Sequence, residues 1–271
     1  MNDEVFLIGG LFFLIGVLGS FLAGLLGIGG GVIYILAFSW FLDGLVSSVE
    51  LPRFVVANSA AVIFISTLYG LGILLRQKQI RFKEVLALLA GGIPASVMTT
   101  RMILYLDFYN KTAFSIIFLG VMGLYFLFSL TRNTAAFSDE RTISYPLLVG
   151  IGGLGGFISA AVGLGGGMVV VPLLLLIGRM SPARAARLSL SAIPFLSLTV
   201  VLTYAFSGAH PPTILFGQWK YFLFPAVGAL SLGALLGMPW GLRFSRRLSP
   251  RRFNVIFLMV ILLVFIKTLI L

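Results

Sequence analysis

Two glycine-rich stretches hold the groups of this chain that could bind a charged ligand. They read GIGGG at 27–31 and GLGGG at 163–167, and each interrupts a run of apolar residues, although glycine costs a helix about 1 kcal/mol relative to alanine. A helix that begins at such a break presents backbone N–H groups without intrahelical partners, next to the positive end of its dipole. Such helix starts bind anions. The alternative is that the glycines only permit tight helix packing.

The composition places these stretches in a membrane. Of the 271 residues, 59% are hydrophobic and only 10% are charged, whereas a soluble domain carries about 25% charged residues. The mean hydropathy is +1.11. A chain of this composition cannot cover itself with polar surface. It is therefore expected to be a helical protein with several membrane segments, and the lipid bilayer is its first partner.

The reactive side chains of this sequence do not favour catalysis. The chain has no cysteine and one histidine, His210, so it can form neither a disulfide framework nor a Cys/His metal site. All eight carboxylates lie at or near the ends of apolar segments, and catalysis inside the membrane would need a nucleophile, a base or a metal. We therefore expect no enzyme, no catalytic residue, no metal and no cofactor.

The glycine-rich motif is part of a longer internal repeat. The stretch GSFLAGLLGIGGG at 19–31 aligns with GGFISAAVGLGGG at 155–167, and FSIIFLGV at 114–121 aligns with FNVIFLMV at 253–260. One fold is therefore expected to occur twice in the chain. The expected division is a first repeat at 1–131, a cytoplasmic linker at 132–145 and a second repeat at 146–271.

The positions of lysine and arginine indicate how each repeat crosses the membrane. These residues favour short cytoplasmic loops, and loops that are equivalent in the two repeats show opposite bias. Four basic residues lie in 76–83 and one in the equivalent 207–220, whereas 43–53 has one and the equivalent 178–187 has three. The net charge of +11 is thus explained by membrane orientation rather than by nucleic-acid binding. Fourteen of the nineteen basic residues lie in the loops predicted to be cytoplasmic: 76–83, 131–145, 178–187 and 243–252.

Opposite orientation of the repeats requires an odd number of crossings in each. The apolar block 5–42 would form a helix of about 57 Å, nearly twice the bilayer core. If this block folds back at its glycines, both of its ends emerge on the same side. The expected fold is an all-α polytopic membrane protein with two inverted-topology repeats, each a glycine-tipped broken-helix hairpin plus three membrane helices, about 8 to 10 membrane segments in all. Both termini are predicted outside the cytoplasm.

The motif and the repeat resemble those of the TauE/SafE family of sulfite and organosulfonate exporters. The resemblance covers the whole chain and rests on GIGGG (27–31), on GLGGGMVVVPLLL (163–175) with Pro172, and on VVANSAAVIF and AARLSLSAIP after the hairpins. It implies an anion permease of the bacterial inner membrane. The chain departs from the family at Leu36, where the first repeat would carry the proline. The first hairpin is therefore expected to be less sharply broken, and whether it contributes equally to the site is left open.

The candidate substrate-binding residues come from the hairpins and from the helices that follow them. In those helices hydroxyl and amide side chains offer neutral donors, and Asn58 is the strongest candidate because an amide at that depth needs a partner. The alternative for each serine is a bond back to its own helix. Arg101 is either an anion-attracting residue or an interface anchor, and His210 is expected to be a solvated loop residue. The expected substrate-binding set is Gly29, Gly30, Gly31, Gly165, Gly166, Gly167, Asn58, Ser59, Ser189 and Ser191.

The function expected from these features is transport of a small oxyanion, sulfite or a short organosulfonate, across the inner membrane. Proton-coupled carriers place Asp, Glu or His inside the membrane, and the apolar segments lack these residues. An anion leaving a cell that is negative inside gains roughly 2.3 kcal/mol per 100 mV, so we expect an exporter driven by the membrane potential. The alternatives are an anion channel, or an importer of a sulfur-containing anion coupled to Na⁺ or H⁺. A homodimer is left open, and no nucleic-acid partner is expected.

The predicted orientation can be tested with single cysteines, because the chain has none of its own. We expect Ser48→Cys, in a loop predicted to lie outside, to react with an impermeant thiol reagent in intact cells. Gln79→Cys and Arg247→Cys lie in loops predicted to be cytoplasmic and should react only after the cells are opened. Reaction of either of these two variants in intact cells would contradict the inverted-repeat prediction.

Overall fold

The structure is a computed structural model that describes residues 2–78, 80–105, 109–130, 143–209, 211–212, 217–245, 255 and 259. Four expectations fall outside the described residues: most of the linker at 132–145, most of the loop at 243–252, almost all of the last apolar segment at 253–271, and the loop residue His210. The described residues form nine helices and two short strands. In chain order these are α1 (Asn2–Leu26), α2 (Gly31–Leu42), α3 (Glu50–Arg76), α4 (Phe82–Tyr105), α5 (Lys111–Leu130), α6 (Tyr145–Val162), α7 (Gly167–Leu176), α8 (Pro182–Ala205), β1 (Gln218–Trp219), β2 (Phe222–Leu223) and α9 (Phe224–Ser245).

The long helices are apolar enough to cross a membrane. Six helices of the described part of the chain qualify by length and hydropathy, namely Leu7–Leu26 within α1 together with α3, α4, α6, α8 and α9. Three apolar helical segments are shorter: α2, α7 and Lys111–Val121 within α5. Strand structure in the described ranges is confined to β1 and β2, which pair antiparallel. The prediction of an all-α polytopic membrane protein is confirmed.

The chain folds back at both glycine-rich stretches. In the first hairpin, α2 returns along α1, and the ring of Phe12 lies 5.9 Å from that of Phe38 and 5.3 Å from that of Phe41, measured between centroids. In the second hairpin, α7 returns along α6, and Val170 contacts Gly155. The turns occupy 27–30 and 163–166, between the helix bounds given above. The apolar block 5–42 is therefore two helices rather than one long span.

Each hairpin packs against a helix of the opposite repeat through glycine. Gly16 of α1 lies against the carbonyl oxygen of Leu230 in α9, and Gly152 of α6 lies against that of Leu88 in α4. A Cβ atom at either glycine would overlap these oxygens, so the absence of a side chain lets the backbones approach closely. The pairs α1–α9 and α6–α4 thus pack in the same manner, as two equivalent repeats would.

The most buried long helices, α3 and α8, cross at the centre of the molecule in opposite directions. Ile63 and Ile193 meet beside Gly165, whereas the later Gly70 of α3 lies beside the earlier Leu190 of α8. In contrast, α4 runs in the same direction as α8. The helices α3 and α8, which face the two hairpins, are therefore the central pair of the bundle. The orientation of the bundle in the membrane stays a prediction.

The packing role of glycine can be tested within α6, where two positions differ only in their surroundings. Gly152→Ala should lower stability by about 1–3 kcal/mol, because its Cβ would overlap the Leu88 carbonyl oxygen. Gly150→Ala, which has open space around its Cβ position, should be neutral or stabilising by up to about 1 kcal/mol through helix propensity. The midpoint of thermal unfolding in detergent measures both. Equal midpoints for the two variants would contradict this account of the α4–α6 contact.

Candidate functional site

Each glycine-rich stretch forms a tight turn between two helices, called here the first tip (27–31) and the second tip (163–167). Three glycines in each tip have a backbone conformation that L-residues disfavour by roughly 1–2 kcal/mol. The backbone itself therefore requires glycine at these six positions. The φ angles are +72° at Gly27, +81° at Gly29 and +71° at Gly30, and +77° at Gly163, +73° at Gly165 and +75° at Gly166.

The last glycine of each tip is required for a different reason, which is that the two tips touch. A Cβ atom at Gly31 would lie 2.8 Å from the backbone of Leu164, and a Cβ atom at Gly167 would lie 2.7 Å from the carbonyl oxygen of Gly27. Both distances are too short for real side chains, so neither position accepts one without movement. The structure thus brings Gly29, Gly30, Gly31, Gly165, Gly166 and Gly167 together at one place in the centre of the molecule.

The touching tips lie between α3 and α8. A Cβ atom at Gly29 would meet Ile193 at 3.4 Å and Ile63 at 3.5 Å, and a Cβ atom at Gly165 would meet the same two side chains at 3.2 Å and 3.0 Å. These two isoleucines escaped the sequence analysis. They occupy the same position of VVANSAAVIF and AARLSLSAIP, so aligning the two repeats through these segments could have found them. They form an apolar wall beside both tips.

Two serines hold the tips, and each belongs to the repeat opposite the tip that it holds. The hydroxyl of Ser59 in α3 donates to the carbonyl oxygen of Gly163 at 3.2 Å, with the Val56 carbonyl at the same distance. The hydroxyl of Ser189 in α8 donates to the carbonyl oxygen of Gly27 at 3.0 Å. Two of the three predicted serines therefore contact the tips, through the first glycine of each motif.

The backbone amides of both tips are buried and have no hydrogen-bond acceptor in the described part of the protein. None of the N–H groups of 28–32 and 164–168 donates to another described residue, and helical bonding resumes at Ile33 and Val169, whose N–H groups reach Gly30 and Gly166. A buried amide without an acceptor costs about 1–3 kcal/mol. Five consecutive amides in each tip therefore lack an acceptor among the described residues, next to the positive ends of the α2 and α7 dipoles.

A tyrosine distinguishes the first tip from the second. The ring of Tyr34 is fully buried, and a Cβ atom at Gly30 would lie 3.2 Å from it. The hydroxyl of Tyr34 lies near those of Ser20 and Ser66. The equivalent residue of the second repeat is Val170, so this polar group occurs beside one tip only. The sequence analysis did not include Tyr34 among the candidate residues, although a tyrosine within the apolar sequence of α2 could have indicated it.

Asn58 does not face the tips. Its amide nitrogen donates to the carbonyl oxygens of Phe54 and Tyr221, both at 2.7 Å, and its amide oxygen accepts from the N–H of Leu223 at 2.7 Å. Both donor hydrogens are thereby used. The side-chain amide of Asn58 therefore finds its partner in the backbone around the turn between β1 and β2. Burial raises the pKa of Tyr221 in that turn to about 12, so its phenol stays protonated at neutral pH.

Ser191 also lies away from the tips. Its hydroxyl donates to the carbonyl oxygen of Arg187 at 2.8 Å, one turn earlier in α8. This hydrogen bond within α8 is the alternative to substrate contact that the sequence left open for each serine. The side chain also lines a cavity together with Arg81, Arg184 and Arg187. In the described ranges, no group of three or more His, Asp or Glu side chains could hold a metal ion.

The replacement of proline by Leu36 leaves the first tip with the same geometry as the second. Both tips have three glycines at positive φ and five unpaired amides. The position lies five residues beyond the tip, inside α2, which extends for 12 residues against 10 for α7 with its Pro172. The difference between the repeats therefore concerns the length of the returning helix and not the tip itself.

Comparison with known proteins agrees with this arrangement. The family model of the sulfite exporter TauE/SafE matches residues 12–268. The probable membrane transporter protein MJ0441 of Methanocaldococcus jannaschii is 24% identical over 246 residues, covering 90% of this chain and 87% of that protein. The probable membrane transporter protein YunE of Bacillus subtilis (strain 168) is 25% identical over 272 residues, covering 92% and 93%. No solved structure matches the chain.

The match to the family extends over nearly the whole chain and includes both tips and both repeats. The resemblance seen in the glycine motifs is therefore confirmed. Both relatives carry the name of probable membrane transporter proteins, and the match covers most of each of them. This agrees with the six apolar helices of the described residues. This chain belongs to the TauE/SafE sulfite exporter family and is a multi-pass membrane transporter.

Proposed function

We propose that this protein exports a small oxyanion, sulfite or a short organosulfonate, across the inner membrane, driven by the membrane potential. The observation that supports this proposal is the pair of touching tips, with five buried and unpaired amides in each. Oxyanions offer several acceptor oxygens at once, and consecutive backbone N–H groups at a helix start suit such a ligand. In this proposal both termini lie outside the cytoplasm, and the anion binds near the middle of the membrane.

The neutral character of the tips suits a transporter. Backbone amides and helix dipoles attract an anion through partial charges, and the groups beside them are the hydroxyls of Ser59 and Ser189 and the side chains of Ile63 and Ile193. A transported ion must bind well enough to enter and weakly enough to leave. A site built from partial charges meets both requirements for a sulfite or sulfonate ion.

The charged side chains of α3 and α4 support export by potential rather than coupling to protons. Glu50 lies 2.7 Å from Arg53, and Glu84 lies 2.6 Å from Arg184. Both carboxylates are therefore held in ion pairs with arginine at the starts of α3 and α4, away from the tips. The substrate's own charge is then the main charge that crosses the membrane.

The role of the tips can be tested at Gly166. Gly166→Val should abolish transport, because its backbone has φ of +75° and the new side chain would lie 2.6 Å from the Gly155 carbonyl oxygen and cover the amides. Gly29→Ala has ordinary space around its Cβ, at 3.4 Å from Ile193. It should stay folded while losing stability of roughly 1–2 kcal/mol through its backbone conformation, and it should bind anions more weakly.

The measurement for these variants is sulfite flux into proteoliposomes, together with the shift of the unfolding temperature that sulfite causes, since a ligand that binds the folded state raises it. Gly120→Ala is the matched control, because its Cβ position in α5 is open. It should retain both flux and shift. Normal transport by Gly166→Val would show that the anion binds elsewhere.

The driving force can be tested with an imposed potassium-diffusion potential. Flux of a monoanion should run toward the positive side, and roughly 60 mV should balance a tenfold concentration ratio, since that ratio is worth about 1.4 kcal/mol. A pH gradient alone should change flux only through the ionisation of the substrate. Flux that ignores voltage and follows a proton or sodium gradient would identify a coupled importer, and single-channel currents would identify an anion channel.

A further inference from the structure

The helices α4 and α8 run side by side in the same direction, and their contact is called here the α4–α8 seam. Near the starts of both helices, Glu84 and Arg184 form an ion pair at 2.6 Å. Further along, the hydroxyls of Ser96 and Thr199 lie 2.5 Å apart. Between these two contacts the seam passes the second tip. Two cavities open along it, one toward each end.

The cavity at the start of the seam is lined by arginine side chains. It has a volume of about 220 Å³, and its lining includes Arg81, Arg184, Arg187, Glu84 and Ser191. Glu84 lies 2.6 Å from Arg184 and 3.4 Å from Arg81. A guanidinium group carries five N–H donors, more than one carboxylate can accept, so these arginines can bind a small anion while they keep other partners. This cavity is called the basic vestibule, and the loops around it are those predicted to be cytoplasmic.

The cavity at the other end of the seam is larger and carries hydroxyl groups. It has a volume of about 440 Å³, and its lining includes Arg101, Thr199, Thr203 and Ser207. Arg101 is exposed there, so its guanidinium group lies at the mouth of the cavity. This cavity is called the distal vestibule. Because α4 and α8 are parallel, the two vestibules lie toward opposite faces of the protein.

A short barrier separates the vestibules. Ser191 lines one and Thr199 the other, and eight residues of helix span about 12 Å. The barrier contains Leu196, which is 1% exposed. A Cβ atom at Gly92 would lie 2.5 Å from Leu196 Cδ2, and one at Gly166 would lie 3.3 Å from Cδ1. Leu196 therefore fills the space between α4 and the second tip.

Both helices are weakened at the level of this barrier. Pro94 lies inside α4 and Pro194 inside α8, and each removes one intrahelical hydrogen bond and favours a bend. When Leu88 of α4 is aligned with Leu230 of α9, Pro94 corresponds to Leu236. When Ile193 of α8 is aligned with Ile63 of α3, Pro194 corresponds to Phe64. In the same alignments, Ser96 corresponds to Met238 and Thr199 corresponds to Tyr69, so the hydroxyl pair has no equivalent there. The two repeats are therefore unequal at this level.

We propose that the α4–α8 seam is the path of the anion, with the basic vestibule as a binding site for oxyanions and Leu196 as the gate. The proposal rests on the function proposed above and adds where the anion travels. Anions collect among the three arginines, pass the amides of the second tip, and leave through the distal vestibule when bending at Pro94 and Pro194 moves Leu196 aside. The first tip completes the binding site, while the path runs along the second.

Single cysteines test the two vestibules. Ser191→Cys and Thr203→Cys should react with 2-sulfonatoethyl methanethiosulfonate, an anionic thiol reagent whose sulfonate resembles the proposed substrate, and should do so from opposite faces of oriented vesicles. Once labelled, both variants should lose sulfite flux. Met98→Cys, on an exposed part of α4 outside both cavities, is the control and should keep its flux.

The outcomes separate this inference from the proposed function. If the unlabelled proteins carry no anion, the proposed function is wrong, and labelling of the two positions from opposite faces still supports the vestibules. If the unlabelled proteins carry sulfite and the labelled Ser191→Cys and Thr203→Cys proteins carry it equally well, the path lies elsewhere. Labelling of both positions from one face would also overturn the proposal.

The gate is tested by Leu196→Ala against Leu190→Ala. Both leucines are 1% exposed in α8, but Leu190 lies beside Gly70, on the side of α3. Leu196→Ala should raise sulfite leak about tenfold, the change that a barrier lower by about 1.4 kcal/mol gives. Leu190→Ala should lower the unfolding temperature without raising the leak. Equal leak in the two variants, or none above that of the unmodified protein, would rule out Leu196 as the gate.

Discussion

Lipid offers no hydrogen bonds to a polypeptide backbone, and the interior of this molecule is arranged around that constraint. A helix satisfies its own backbone, so a break inside the membrane is tolerated only where protein or a polar cavity receives the freed groups. The breaks at 27–30 and 163–166 free five amides each. The carbonyl oxygens of Gly27 and Gly163 accept hydrogen bonds from serines, whereas the amides have no acceptor among the described residues. Burial by α3 and α8 keeps lipid from both.

The same constraint explains why the glycine-tipped hairpin occurs twice. Each tip closes one side of the other, since Gly31 lies against Leu164 and Gly167 lies against Gly27. One hairpin alone would expose its freed amides to the bilayer. Two hairpins facing each other cover part of each other's tips, and the matching contacts of α1 with α9 and of α6 with α4 support them from both sides.

The sequence predicted the features that depend on local chemistry. The helix breaks at the glycine-rich stretches, the length of the apolar blocks and the freed amides are all properties of short stretches, and the hairpins are found where the motifs lie. Contacts between distant segments were beyond such reasoning. Asn58 needed a partner, as expected, but its partner is the backbone of Tyr221, 163 residues away. Ser191 shares a cavity with Arg184 and Arg187 of its own helix, and only the pairing of α4 with α8 adds Arg81 and Glu84 to that cavity.

The crossed serine bonds restrict the mechanics of the molecule. Ser59 of the first repeat grips the second tip and Ser189 of the second repeat grips the first, while Asn58 pins the β-turn before α9 to α3. An elevator-like stroke, in which one half slides by a turn or more along the other, would rupture all three attachments together. The crossed bonds therefore favour a short flexing of individual helices around the tips over travel of one half along the other.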